Sequence, residues 1–129
     1  MPERVRELTD GRGVDVVYDS VGKTTFQGSI DSLKRRGMLV SFGQSSGAVP
    51  PIDPLVLSRK GSLFLTRPTL AHYIADREEL EQRAQDIFGW MQDGNLKIRI
   101  DSEFVLEHAG DAHRALESRK TAGKVLIIP

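Results

Sequence analysis

The chain has 129 residues, enough for one domain or part of one with a real core. Eighteen Lys and Arg residues balance eighteen Asp and Glu, so the formal net charge is zero and no basic footprint for nucleic acid or an anionic membrane is present. Cysteine is absent, which excludes disulfides, thiolate zinc sites and cysteine nucleophiles, and no apolar run approaches the length of a membrane span.

The first residues, Met1-Pro2-Glu3-Arg4-Val5-Arg6, carry charges where a signal peptide needs an apolar core, so a cytoplasmic protein is expected. Pro2 to Leu8 reads as the end of a helix, with Val5 and Leu8 on one face, stopped by Asp10-Gly11-Arg12-Gly13. Val14-Asp15-Val16-Val17-Tyr18 is a strand of β-branched and aromatic residues, with Tyr18 read as core. It ends in the polar loop Asp19-Ser20-Val21-Gly22. Lys23 to Arg36 has Phe26, Ile30 and Leu33 at helical spacing and closes on Lys34-Arg35-Arg36, with Gly37 just past its end. Met38 to Phe42 is a buried strand, and it stops in the loop Gly43-Gln44-Ser45-Ser46-Gly47. Residues 14–42 therefore form a strand–helix–strand unit, expected to be parallel and right-handed.

Prolines 50, 51 and 54 exclude helix or central strand up to Asp53, after which Pro54 to Arg59 fits a short helix capped by Asp53. Ser62 to Thr66 is a third strand, and Thr69 to Ala75 a short helical turn. The clearest helix starts at Asp76, whose spacing to Glu79 suits a capping box, and Leu80, Ala84, Ile87, Phe88 and Met91 make a stripe expected to face the core. Lys97-Ile98-Arg99-Ile100 alternates as a half-exposed strand does. Glu103 to Leu106 is another short strand. His108 to Ser118 reads as a helix burying Ala112, Ala115 and Leu116, and Lys124 to Ile128 as a final strand. The C-terminal strands are expected to belong to a separate antiparallel sheet. With three parallel strands before residue 70 and a chain that starts inside a helix, the sequence reads as the last part of a larger protein.

Ligands of open α/β sheets sit outside the carboxyl ends of the strands, which places the candidate site at the loops after Tyr18 and Phe42. Gly43-Gln44-Ser45-Ser46-Gly47 matches the G-x-S-x-G elbow of α/β-hydrolases, with Ser45 as nucleophile and His108 or His113 downstream. That chemistry needs a helix directly after the serine, to aim backbone amides at an oxyanion, and Pro50 and Pro51 oppose one. The alternative is a cofactor cleft in which Ser20, Gly43, Ser45 and Ser46 supply hydroxyls and open amides. Solvated loops with no ligand, in a non-catalytic scaffold module, remain a third reading. No G-x-G-x-x-G turn is present. His72, His108 and His113 are scattered, the last two five residues apart and off a common helical face, so no metal site is expected.

Four segments in order carry a resemblance. They are Gly11 to Gly22; Arg36 to Gly43; Ser62 to Pro68; and Ala112 to Arg119 with Gly123 to Leu126. Together they resemble the C-terminal part of the NADPH:quinone oxidoreductases, the zinc-free branch of the medium-chain dehydrogenase/reductase superfamily. The resemblance implies an α/β fold: the second half of a Rossmann-type doubly wound parallel sheet over residues 1–96, then a return segment of a GroES-like catalytic domain over 97–129. It implies NADPH contacts from Ser20 and Val21, from Phe42, Gly43, Gln44 and Ser45, from Thr66 and Arg67, and from Arg119. The implied reaction is hydride transfer from NADPH to a quinone or enone without zinc, with no catalytic residue assigned within this chain. The chain alone is expected to be inactive and to bind cofactor weakly. Homodimerisation through strand 62–66 is also implied, with no nucleic-acid or membrane partner.

Overall fold

β-Branched runs, glycine turns and short amphipathic stretches alternate along the chain, and the computed structural model, which describes residues 2–129, forms strands and helices in that order. The chain divides between Ile74 and Ala75 into two units.

In the first unit, α1 (Pro2–Leu8), β1 (Val14–Asp19), α2 (Phe26–Asp31), β2 (Leu33–Ser41), α3 (Leu55–Arg59), β3 (Phe64–Thr66) and α4 (Leu70–Tyr73) follow in sequence. The strands form one parallel sheet in the order β1-β2-β3. Register aligns Val17 with Leu39 and Leu65, and Tyr18 with Val40 and Thr66. Because side chains alternate across a strand, Val17, Leu39 and Leu65 share one face. Phe26, Ile30, Leu33, Leu39 and Leu63 are buried there, with Val14, Val49, Ile52 and Leu57 packed against them. Leu39, on the central strand, has no exposed surface. The opposite face presents Tyr18, Met38 and Phe64, so Tyr18 is exposed rather than core, at 73%.

The expected helix over 23–36 is shorter. It ends at Asp31, where Ser32 turns its hydroxyl back to the Gly28 carbonyl at 2.7 Å. Leu33 reaches the core from a strand, paired with Val14. Between the Val14–Leu33 and Val16–Met38 pairs, β2 advances five residues while β1 advances two, so Lys34-Arg35-Arg36 form a bulge rather than a helix end. Arg36 holds φ at 58°, and its amide donates to the Gly61 carbonyl at 2.8 Å. In α3, Pro54 takes the cap position, while the Asp53 carboxylate accepts the Leu55 amide at 2.9 Å. The third strand is shorter than its expected span of 62–66, since Ser62 turns with φ 56° before Phe64 pairs with Met38.

In the second unit, α5 (Arg77–Gln92), β4 (Ile100–Val105), a 3-10 turn (Leu106–His108), α6 (Ala109–Glu117) and β5 (Lys124–Ile128) follow. Strands β4 and β5 pair in parallel, Phe104 beside Ile127, where an antiparallel sheet was expected. The nine-residue α6 between them is a crossover, and a crossover returns the chain in the same direction. Lys97 to Arg99 lie outside β4. Asp76 caps α5 in extended geometry without a side-chain bond, so the capping box does not form. The α5 stripe is not core: Leu80, Ile87, Phe88 and Met91 are exposed, because β4, β5 and α6 pack on one another and leave it uncovered. On α6 only Ala112 is buried; Leu116 faces outward. No helix among the described residues is long and apolar enough to cross a membrane.

Candidate functional site

Asp19 closes β1 with a buried carboxylate. Its Oδ1 accepts the Val21 and Gly22 amides at 2.9 and 3.0 Å, an Asx-type turn that bends the chain away from the sheet. The Thr25 and Ser29 hydroxyls, from the start and middle of α2, donate to the same carboxylate at 2.8 Å each. Burial pushes its carboxyl pKa upward, but the hydrogen bonds from Gly22, Val21, Thr25 and Ser29 outweigh that and hold it below the ordinary value. Gly22 takes φ 87°, a left-handed conformation that suits glycine, and its carbonyl accepts the first amides of α2.

The loop after β2 is laced onto this turn. The Phe42 and Gly43 amides both donate to the Asp19 carbonyl, at 3.0 and 3.1 Å. The Ser45 and Ser46 amides donate to the Ser20 and Val21 carbonyls, at 3.5 and 2.9 Å. The Ser46 hydroxyl also donates to the Val21 carbonyl at 2.7 Å and accepts the Thr24 amide at 3.1 Å. After β3, Arg67 donates from Nη1 to the Ser41 carbonyl at 2.8 Å. A cleft of about 330 Å³ opens on the core side of this edge, lined by Ser41, Gly43, Gln44, Val49, Leu65 and Arg67. A larger and more open hollow of about 850 Å³ on the other face is lined by Tyr18, Phe42, Thr66, Arg67 and Tyr73.

Eight of the residues singled out from sequence thus lie along the carboxyl edge of the three-stranded sheet: Ser20, Val21, Phe42, Gly43, Gln44, Ser45, Thr66 and Arg67. Arg119 lies in the second unit, in the turn after α6, with φ 58°. The roles of Asp19, Thr25 and Ser29 were passed over. An Asp ending an apolar strand, with a Thr and a Ser following at helical offsets, was the signal available for them. Ser45 lacks the setting of a nucleophile: no helix follows until Leu55, and its amide donates to Ser20 rather than facing an oxyanion.

A family model described as zinc-binding dehydrogenase matches residues 2–127. The chain belongs to the zinc-binding dehydrogenase family. It is 46% identical over 129 residues to the quinone oxidoreductase of Salmonella typhimurium, covering 98% of this chain and 39% of that protein. It is 42% identical to a 2-haloacrylate reductase from a Burkholderia species, covering 98% and 38%. Among solved structures, Escherichia coli quinone oxidoreductase complexed with NADPH superposes with a TM-score of 0.91 at 46% identity, covering 98% of this chain and 40% of that one. This zinc-binding dehydrogenase chain therefore spans about two fifths of the length of these relatives. Its parallel α/β sheet is the second, C-terminal half of their Rossmann domain. The hydrolase and scaffold readings gain no support from these relatives.

The family's description names zinc, and the residues here do not fit it. Among the described residues no three of His, Cys, Asp or Glu cluster to hold a metal. His108 is bonded through Nδ1 to Asp111 at 3.0 Å.

Proposed function

We propose that this chain forms the nicotinamide-side half of the NADPH cleft in a reductase that passes hydride to a quinone or an enone. The observation that carries it is the lacing of two small-residue loops at the ends of adjacent parallel strands, a position where dinucleotides bind in such sheets. Ser20, Val21, Phe42, Gly43, Gln44, Ser45, Thr66 and Arg67 would hold NADPH along that edge; Arg119 is proposed as a cofactor contact on the family resemblance alone. The fit is physical: Gly43 carries no side chain, so the Ser20 backbone can pack directly against it and the two loops meet at one edge, where Gly43 and Gln44 line the cleft. NADPH supplies the hydride; the chain's residues bind the cofactor, orient it and keep one of its faces away from water.

Residues 1–96 are assigned to the Rossmann domain and 97–129 to a return segment of a GroES-like catalytic domain. The NADPH in the solved relatives and their quinone-reductase names support this reading. A homodimer through β3 belongs to the same proposal: β3 is the last strand of its sheet, and Phe64 and Leu65 are exposed on it.

Saturation-transfer NMR with NADPH tests the binding claim on this chain. Weak, reversible transfer to nicotinamide and ribose protons, lost in Gly43→Ala, is the expected result, weak because no G-x-G-x-x-G turn is present. No transfer from the unaltered chain would overturn the proposal.

A further inference from the structure

A buried carboxylate normally pairs with a cation, and Asp19 does not. Every donor on it is a backbone amide or a hydroxyl, and at 4% exposure it is among the most enclosed polar residues of the unit. Keeping a charge there costs desolvation that an uncharged residue would avoid. The four groups that offset this cost are distributed in an informative way. Two are amides of the turn after β1, the first of the two laced walls; two are hydroxyls of α2, the helix that follows it.

The same residue reaches the second wall by a different group. Its backbone carbonyl takes both the Phe42 and Gly43 amides, and the turn its side chain shapes presents the Ser20 and Val21 carbonyls to the Ser45 and Ser46 amides. We propose that Asp19 is the positioning residue of the cleft: its carboxylate sets the Ser20–Gly22 turn, and through that turn the seat of the second wall, the loop after β2 whose Gly43 and Gln44 line the cleft. It touches no cofactor itself. Side-chain bonds restrain Val21 and Gly22; the Val21 carbonyl takes the Ser46 amide, and the neighbouring Ser20 carbonyl takes the Ser45 amide, neither serine having a bond to the Asp19 side chain. A charged acceptor suits this task, because hydrogen bonds to an ionised group are roughly twice as strong as neutral ones. The consequence for cofactor affinity rests on the function proposed above; the coupling of the walls does not.

Residue-resolved amide hydrogen exchange on Asp19→Asn and Asp19→Ala, without any ligand, tests the coupling. The asparagine keeps the shape and an acceptor oxygen but loses the charge, so it carries the test if the alanine variant does not fold. Exchange should rise several-fold at Val21 and Gly22 and also at Ser45 and Ser46, while the Leu39 and Val40 amides of β2 stay as slow as in the unaltered chain. Leu33→Val, a core change at the opposite end of β2, should not produce that pattern. Faster exchange at Val21 and Gly22 alone, a uniform rise across the sheet, or no rise at all would each overturn the proposal. An NADPH titration of the same variants is read separately. Loss of affinity in Asp19→Ala beyond that in Leu33→Val agrees with the assignment, equal losses overturn its cofactor part, and no binding by the unaltered chain counts against the function proposed above and leaves the exchange result standing.

Discussion

The backbone of Gly43 passes so close to Ser20 that a Cβ on Gly43 would lie 2.0 Å from the Ser20 carbonyl oxygen. No rotamer relieves such a contact, since both partners are main chain. Gly43→Ala must therefore push the two loops apart or break the Phe42 and Gly43 bonds to Asp19. The expected cost is about 2–3 kcal/mol, as for overpacked sites, measured by urea unfolding. A variant as stable as the unaltered chain would show that the loops approach less closely than described.

The low pKa of Asp19 has a direction in solution. Its folded pKa lies below the ordinary carboxylate value, so its contribution to stability is fully present above that value and is lost as pH falls through the folded pKa. Asp31, lowered first by its hydrogen bond from Lys60, follows the same sign. Urea midpoints measured from pH 5 downward should fall, and Asp19→Asn should fall less steeply because one linked proton is gone. Equal slopes for the two proteins would remove Asp19 from the account.

Leu39 sits at the centre of the middle strand with no exposed surface, in contact with the cluster of Phe26, Ile30, Leu33 and Leu63. Leu39→Ala should cost about 2–5 kcal/mol through lost burial and the cavity it leaves. Chemical denaturation reads this directly. A loss under 1 kcal/mol, an order-of-magnitude bound for surface sites, would mean the core closes over the gap.

Phe64 is 58% exposed on the edge strand β3, so Phe64→Lys should change stability by no more than about 0.5 kcal/mol. A lysine on an edge strand also opposes pairing with a second chain. Light scattering should find a dimer of the unaltered chain and a monomer of the variant. A dimer that survives in Phe64→Lys places the contact elsewhere.

How much of this was legible depends on the range of the forces involved. The β-branched run Val14 to Tyr18 and the glycine-rich stop at Gly43 to Gly47 report local preferences, and β1 and β2 end where those signals lie. The division of residues 23–36 was not readable. Phe26, Ile30 and Leu33 fit one helical face whether the helix continues or ends, and the outcome rests on the Arg36 bond to Gly61, distant in sequence. Alternation over Lys97 to Ile100 and the short run Glu103 to Leu106 suggest strand but carry no direction, so the parallel pairing of β4 with β5 was misjudged. The α5 stripe shows the converse error: apolar spacing gives a face, not the element that covers it. At the site, serines and glycines drew attention by type. Asp19 stayed hidden because Thr25 and Ser29 become its partners only once α2 has formed.

All the bonds that join the two walls fall between Asp19 and Gly47, inside one strand–helix–strand unit. Closing a chain segment of that length costs little entropy, and contacts of short sequence separation are the ones made early in folding. The joining of the two loops is thus a local event in the chain, and Leu65 and Arg67, which complete the cleft, come to it from farther along the polypeptide.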